Sequence, residues 1–184
     1  MKSAGFVLLA LVFGQGVLAD DKRPELPLTA EREIRFTTSE ATWLSLDVSP
    51  DGQQLVLEIL GDLYTLPIGG GEAQALTRGM AYDSQPRYSP DGRKIVFVSD
   101  RDGSENLWLV GLDGEAPEPL TKGGAKFEFA SPSWSPDGSH VITSQTSWDL
   151  ATFELWAYHL DGGRGIQLTR AKANASTPAA QRRN

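Results

Sequence analysis

The chain has 184 residues, 40% of them hydrophobic, with a formal charge of −7 at pH 7 and no cysteine. That much apolar content suits a packed core rather than disorder, and the missing cysteine excludes a disulfide framework and any thiolate metal site. An acidic surface repels phosphate backbones, which argues against nucleic acid as a partner and favours solubility.

Residues 1–19 read as a secretory signal peptide. Lys2 is a short positive region, 4–13 is uncharged and mostly apolar, and Val17-Leu18-Ala19 puts small residues at the −3 and −1 positions of a cleavage site. The polar run Asp20-Asp21-Lys22-Arg23-Pro24 follows. The alternative is a membrane anchor, with the uncleaved segment as the one membrane contact. The uncharged run 3–19 is broken at Gln15, however, and is short of the about 20 apolar residues a span requires. Export implies a periplasmic or secreted protein. Residues 20–32 are polar with two prolines and form a lead-in with little structure of its own. The β-branched and aromatic residues of 34–38 read as a first strand.

A tetrapeptide then recurs. Ser-Pro-Asp-Gly stands at Ser49–Gly52, Ser89–Gly92 and Ser135–Gly138, with starts 40 and 46 residues apart. Two further markers keep the same order: an aromatic at Tyr64, Trp108 and Trp156, and Leu-Thr at Leu76–Thr77, Leu120–Thr121 and Leu168–Thr169. A period in the forties with strand-like content predicts propeller blades. Each unit reads as four short strands. In the first, 43–48 alternates apolar and polar residues. The tetrapeptide is a turn: proline presets φ, aspartate bonds nearby backbone and glycine accepts positive φ. Apolar strands follow at 54–60, 94–99 and 140–144. In Ile95-Val96-Phe97-Val98 both faces are apolar, as in a strand between two sheets. Aromatic-bearing strands come next at 63–67, 107–112 and 155–160, then a glycine turn, then an edge strand ending at Leu-Thr.

Aromatic to leucine is 12 residues in every copy, whereas the start of the tetrapeptide to the aromatic is 15, 19 and 21. Length variation within the unit therefore falls in one hairpin: Gly61-Asp62 in the first unit, 100–105 in the second and 145–153 in the third. Surface hairpins tolerate insertions and core strands do not, so these hairpins are the recognition candidates, with Asp100, Arg101, Asp102, Trp148 and Asp149 as the residues to watch. Prolines 86, 117, 119 and 132 fit strand ends and edges. The expected fold is all-β, a partial β-propeller of about three four-stranded blades over 33–77, 78–121 and 122–170, with 171–184 as a linker toward a further blade. Three repeats do not close a ring, so the chain reads as an open arc, a fragment of a longer protein.

The most complete repeat carries a family pattern: Asp83-Ser-Gln-Pro86, Ser89–Gly92, Ser99-Asp-Arg-Asp-Gly103, Asn106-Leu-Trp108 and Pro119-Leu-Thr121. It resembles the TolB-like β-propeller repeat, and the likeness covers roughly 33–170. A finer resemblance rests on Trp43-Leu-Ser-Leu-Asp-Val-Ser-Pro-Asp-Gly52, Gly61-Asp-Leu-Tyr-Thr-Leu-Pro67, Gly69-Gly-Gly-Glu-Ala73 and Asp83-Ser-Gln-Pro-Arg-Tyr88. These stretches are similar to the N-terminal propeller of large secreted bacterial amidohydrolases. That likeness implies a longer parent in which a metal-dependent hydrolase barrel follows the propeller. The divalent metal would belong to that missing domain, and the partners of this chain would be the remaining blades, the C-terminal domain or a separate protein. Two other readings stand beside it: a TolB-type periplasmic protein-binding propeller and the gating propeller of a serine peptidase.

No catalytic, cofactor-binding or metal residue is expected in this chain. His140 and His159 each stand alone in the sequence, too few for a hydrolytic metal centre. Asp100-Arg-Asp102-Gly-Ser-Glu105 crowds carboxylates but lacks the alternating ligands of a calcium loop, and a hairpin whose aspartates bond backbone amides explains it better. There is no Gly-x-Ser-x-Gly elbow. Trp43, Trp108, Trp134 and Trp156 recur at repeat positions and read as core. Trp148 breaks the pattern in the longest hairpin, next to Asp149, where it either anchors a partner or caps its own hairpin.

Overall fold

The computed structural model describes residues 37–42, 44–113, 115–147, 152–171, 174, 175 and 178. The signal peptide, the lead-in, Trp43, Trp148 and Asp149 lie outside the described residues. So does most of the strand expected at 34–38; its two described residues, Thr37 and Thr38, are not in a strand.

The described chain is all-β, with one short 3-10 turn at Gly124–Lys126 and no α-helix among the described residues. The first sheet holds β1 (Leu46–Val48), β2 (Gln54–Ile59), β3 (Asp62–Pro67) and β4 (Gln74–Ala75). The second holds β5 (Asp83–Tyr88), β6 (Lys94–Ser99), β7 (Asn106–Gly111) and β8 (Glu118–Pro119). The third holds β9 (Phe127–Trp134), β10 (His140–Ser147), β11 (Glu154–His159) and β12 (Ile166–Gln167). Each is a four-stranded antiparallel meander in chain order, and β1, β5 and β9 are neighbours. These are three blades of an open propeller with those strands innermost.

Several expectations shift. β10 runs on to Ser147 rather than ending at 144, so residues 145–147 of the hairpin expected at 145–153 are paired strand. The strand predicted from residue 43 begins at Leu46. The first hairpin turns at Leu60-Gly61 rather than Gly61-Asp62, because Ile59 pairs with Asp62. Both turn residues have positive φ, 55° and 87°, the backbone of a two-residue hairpin that matches strand twist.

The tetrapeptide builds the same turn in each blade. Ser49, Ser89 and Ser135 donate their hydroxyls to Asp51, Asp91 and Asp137 at 2.6 Å. Each serine oxygen also accepts the amide of the first residue of the next strand at 2.9 Å. Each aspartate accepts the amide two residues on, at 3.0, 3.1 and 3.1 Å. The glycines sit at φ 71°, 71° and 72°, where a Cβ is strained.

Leu-Thr has a comparable job. Leu76, Leu120 and Leu168 donate their amides to the carbonyls of Leu63, Leu107 and Leu155 at 2.7, 2.8 and 2.7 Å. The hydroxyls of Thr77, Thr121 and Thr169 accept the amides of the same three residues, each at 2.9 Å. The outer strands are only two residues long, and this clasp ends each blade by bonding both backbone groups of one leucine.

The cores lie between blades. Val56, Leu63, Tyr88, Ile95, Phe97, Trp108 and Val110 fill the first interface. Val96, Val98, Leu107, Leu109, Leu120, Phe129, Trp134, Val141 and Tyr158 fill the second. The middle blade thus buries both faces of Ile95–Val98, as its unbroken apolar run predicts.

A polar strap ties the inner strands together. Gln85 and Ser131 have φ of 54° and 52°, each at a bulge just before a buried proline, Pro86 or Pro132. The Gln85 amide donates to Ser45 Oγ (3.0 Å) and the Ser131 amide to Gln85 Oε1 (2.6 Å). The three residues occupy the same repeat position, four before the tetrapeptide serine. Beyond the third blade, the Ala175 amide donates to the Phe153 carbonyl at 2.8 Å, as the Asp83 amide does to Gly61 where the chain enters the second blade.

Candidate functional site

Antiparallel order puts the tetrapeptide and glycine turns on one face of the arc and the variable hairpins on the other. On the hairpin face, the second blade turns its polar groups inward. Arg101 Nη2 donates to Asp83 Oδ1 and Oδ2 at 2.7 and 2.6 Å, while Arg101 Nε donates to Ser99 Oγ at 3.1 Å. The Ser99 hydroxyl donates to Asp83 Oδ1 at 2.6 Å, and Asp83 is only 1% exposed. The guanidinium lies 5.4 Å from the Phe97 ring centre and 5.2 Å from that of Trp108. Asp100 Oδ1 accepts the Tyr82 amide at 2.8 Å. Asp102 accepts from Asn106 Nδ2 at 3.2 and 3.1 Å and from the Ser104 amide at 3.3 Å. The two hairpin aspartates thus bond backbone amides, and all three residues are engaged within the chain.

His140 and His159, isolated in the sequence, are partners in space. They pair across β10 and β11 with ring centres 4.8 Å apart, edge to face. His140 Nδ1 is 2.7 Å from Ser139 Oγ, and His159 Nδ1 is 3.5 Å from Asp161 Oδ2. Cross-strand register brings together residues 19 apart in the chain, which spacing alone hides. Among the described residues no group of three or more His, Asp or Glu side chains is placed to hold a metal ion.

On the tetrapeptide face the innermost strands frame an open groove of about 390 Å³. Asp47 and Val48 of β1, Arg87 and Tyr88 of β5, and Ser133 and Trp134 of β9 line it, and the prolines of the three turns edge it. These are the two residues before each tetrapeptide. Asp47 Oδ2 accepts the Tyr88 amide at 2.9 Å, Arg87 Nη1 donates to the carbonyls of Leu46 (3.1 Å) and Pro86 (2.9 Å), and Trp134 Nε1 donates to the Arg87 carbonyl at 3.0 Å. The Tyr88 hydroxyl is buried with no hydrogen-bond partner. Burial first, then the nearby Asp47 and Asp51 charges, push its phenol above the usual range. The groove presents the Asp47 carboxylate and the Arg87 guanidinium beside the buried rings of Tyr88 and Trp134, an arrangement suited to holding a ligand. A sequence signal exists: these two positions read Asp-Val, Arg-Tyr and Ser-Trp, changing charge and size beside an invariant turn.

The TolB beta propeller domain model matches residues 29–181. The chain belongs to the TolB beta propeller domain family. The Tol-Pal system protein TolB of Wolinella succinogenes is 30% identical over 131 residues, which is 66% of this chain and 30% of that one. The crystal structure of TolB from Acinetobacter baumannii superposes with a TM-score of 0.59 at 21% identity, over 72% of this chain and 33% of that one. Puromycin hydrolase gives the same TM-score, 0.59, at 19% identity over 73% of this chain and 23% of that chain. Both structural likenesses speak to the fold. The chain spans 36% and 30% of the length of curated relatives it matches. The resemblance to amidohydrolase propellers gains no support from these TolB relatives.

Proposed function

We propose that this chain is the non-catalytic recognition propeller of an exported protein of TolB type, binding a protein segment in the groove across its innermost strands. One observation carries the reading: an open groove across the three innermost strands, ringed by Asp47, Arg87 and Trp134 beside an invariant turn. Tyr88 and Trp134 form its buried floor, and Asp47 and Arg87 supply opposite charges to pair with those of a peptide. Membership of the TolB beta propeller domain family supports it, and the Lys2–Ala19 pattern supports a periplasmic or secreted location. The Ala175–Phe153 bond supports further blades of the same parent as the nearest partners.

A second reading keeps the propeller beside a hydrolase domain of its own chain, serine peptidase or metal-dependent amidohydrolase. The fold likeness to puromycin hydrolase favours it. Any divalent metal would then sit in that domain. One experiment separates the readings: a photo-crosslinking residue at position 133 of the full-length natural protein, irradiated in cells and mapped by mass spectrometry. The first reading expects adducts to a segment of another protein that fall sharply with Arg87→Glu. Adducts to downstream residues of the same chain would favour the second. Labelling no stronger than from exposed position 72 would sink both.

A further inference from the structure

A second cleft lies between the second and third blades, about 300 Å³ in volume, away from the inner groove. Its counterpart one blade earlier is the slot filled by Arg101. Counted from the tetrapeptide serine, Phe129 stands where Asp83 stands, Gln145 where Ser99 stands, and Ser147 where Arg101 stands; Trp156 matches Trp108. The third blade has thus lost the arginine that fills the slot, together with its acid and its hydroxyl. What remains is aromatic. Phe127, Phe129, Trp156 and Tyr158 line the cleft, and the Tyr158 hydroxyl bonds Gln145 Oε1. Phe129 and Tyr158 meet edge to face at 6.1 Å, and a Cβ at Gly165 would come within 2.5 Å of the Tyr158 ring, so the ring is held in place.

The rim is basic. Lys122 and Arg164 border the cleft, both exposed, and the side chain of neither forms an ion pair or hydrogen bond among the described residues. Two free cations over an aromatic floor, on a chain of net charge −7, select against a cationic guest and for one carrying carboxylates. The loss of the buried acid removes the counter-charge that holds Arg101 in the second blade.

We propose that this cleft is a second docking site for a protein segment, one that inserts an aromatic side chain among Phe129, Trp156 and Tyr158 and sets an adjacent carboxylate against Lys122 and Arg164. The proposal rests on the protein-binding reading above and names a different surface and the chemistry of its partner. Edge-to-face ring packing supplies the hold, and the exposed charges supply selectivity and a salt dependence.

The test uses the full-length natural protein and three blocked peptides, Glu-Asp-Trp-Glu, Glu-Asp-Ala-Glu and Lys-Lys-Trp-Lys, followed by the NMR shift of the Trp156 indole N–H. Only the first peptide is expected to move that signal, and less so as salt is raised. Lys122→Glu with Arg164→Glu, both at exposed positions, is expected to weaken it by about tenfold without altering the melting temperature. Equal binding of the basic peptide, no shift at Trp156, or unchanged affinity in the double variant would overturn the proposal. So would a Trp148–Trp156 contact in the free protein, which would mean that the chain fills its own cleft. Adducts from position 133 that persist in the double variant would leave the inner-groove reading standing if this one fails.

Discussion

Arg101 carries the charge that allows Asp83 to be buried. Removing one partner of a buried pair leaves the other charged and unpaired, so Arg101→Ala should cost about 3 kcal/mol in chemical denaturation. Arg101→Lys should recover only part, because a point charge cannot at once bond Asp83 as Nη2 does and Ser99 as Nε does, nor lie over the Trp108 ring. Full recovery by lysine would mean that charge alone matters there. Asp62 is strained in the opposite sense. Its Oδ1 is buried without a partner, and burial, with Asp83 adding, raises its carboxyl above the ordinary value against Arg78 and Arg101. A carboxyl whose folded pKa is raised folds best when protonated: the penalty is absent below the unfolded pKa of about 4 and grows as pH rises through the folded value. Asp62→Asn should therefore raise the melting temperature at pH 7 and leave it nearly unchanged at pH 3. Asparagine already serves at the matching position of the second blade, where Asn106 Oδ1 accepts the Thr121 hydroxyl (2.9 Å) and the Gly123 amide (2.8 Å).

Strands in this chain are shaped more by their ends than by their length. Two residues of outer strand suffice because the Leu-Thr clasp closes each blade, and Thr121→Val keeps the shape of that threonine while removing its oxygen. The Leu107 amide is then buried and unpaired, so a loss of about 2 kcal/mol in thermal or urea unfolding is expected. A neutral result would mean that water replaces the hydroxyl. The repeated markers were legible in the sequence because turn and clasp are local, spanning a few residues at fixed offsets. The bulges at Gln85 and Ser131 were not: a non-glycine residue at positive φ before proline contradicts local preference, and only the bond to the neighbouring blade sustains it. The hairpin residues Asp100, Arg101 and Asp102 were legible as a polar variable turn whose aspartates bond backbone amides, as Asp100 and Asp102 do, but the bond of Arg101 to Asp83 was not.

At the scale of the molecule, three blades leave the third blade's outward face and the first blade's opposite face without a neighbouring blade among the described residues. Unpaired sheet faces and edges associate. Residues 20–184 produced alone should show a sedimentation coefficient that rises with concentration and a broad melting transition. A sharp transition with a concentration-independent monomer would contradict the open arc. The same material should hydrolyse no amide substrate with or without added divalent metal, and metal-dependent turnover would refute the non-catalytic reading.

The sequence by itself determined the blade, its four strands, its turn and its period, because backbone conformation and side-chain alternation are read along the chain. It also placed the protein among TolB-like propellers. Only the tertiary structure decided which residues meet: His140 with His159, Arg101 with Asp83, the inner groove around Tyr88, and the aromatic cleft left where the third blade lacks an arginine. Those contacts depend on strand register and on the packing of one blade against the next, and neither is written at a fixed distance in the sequence.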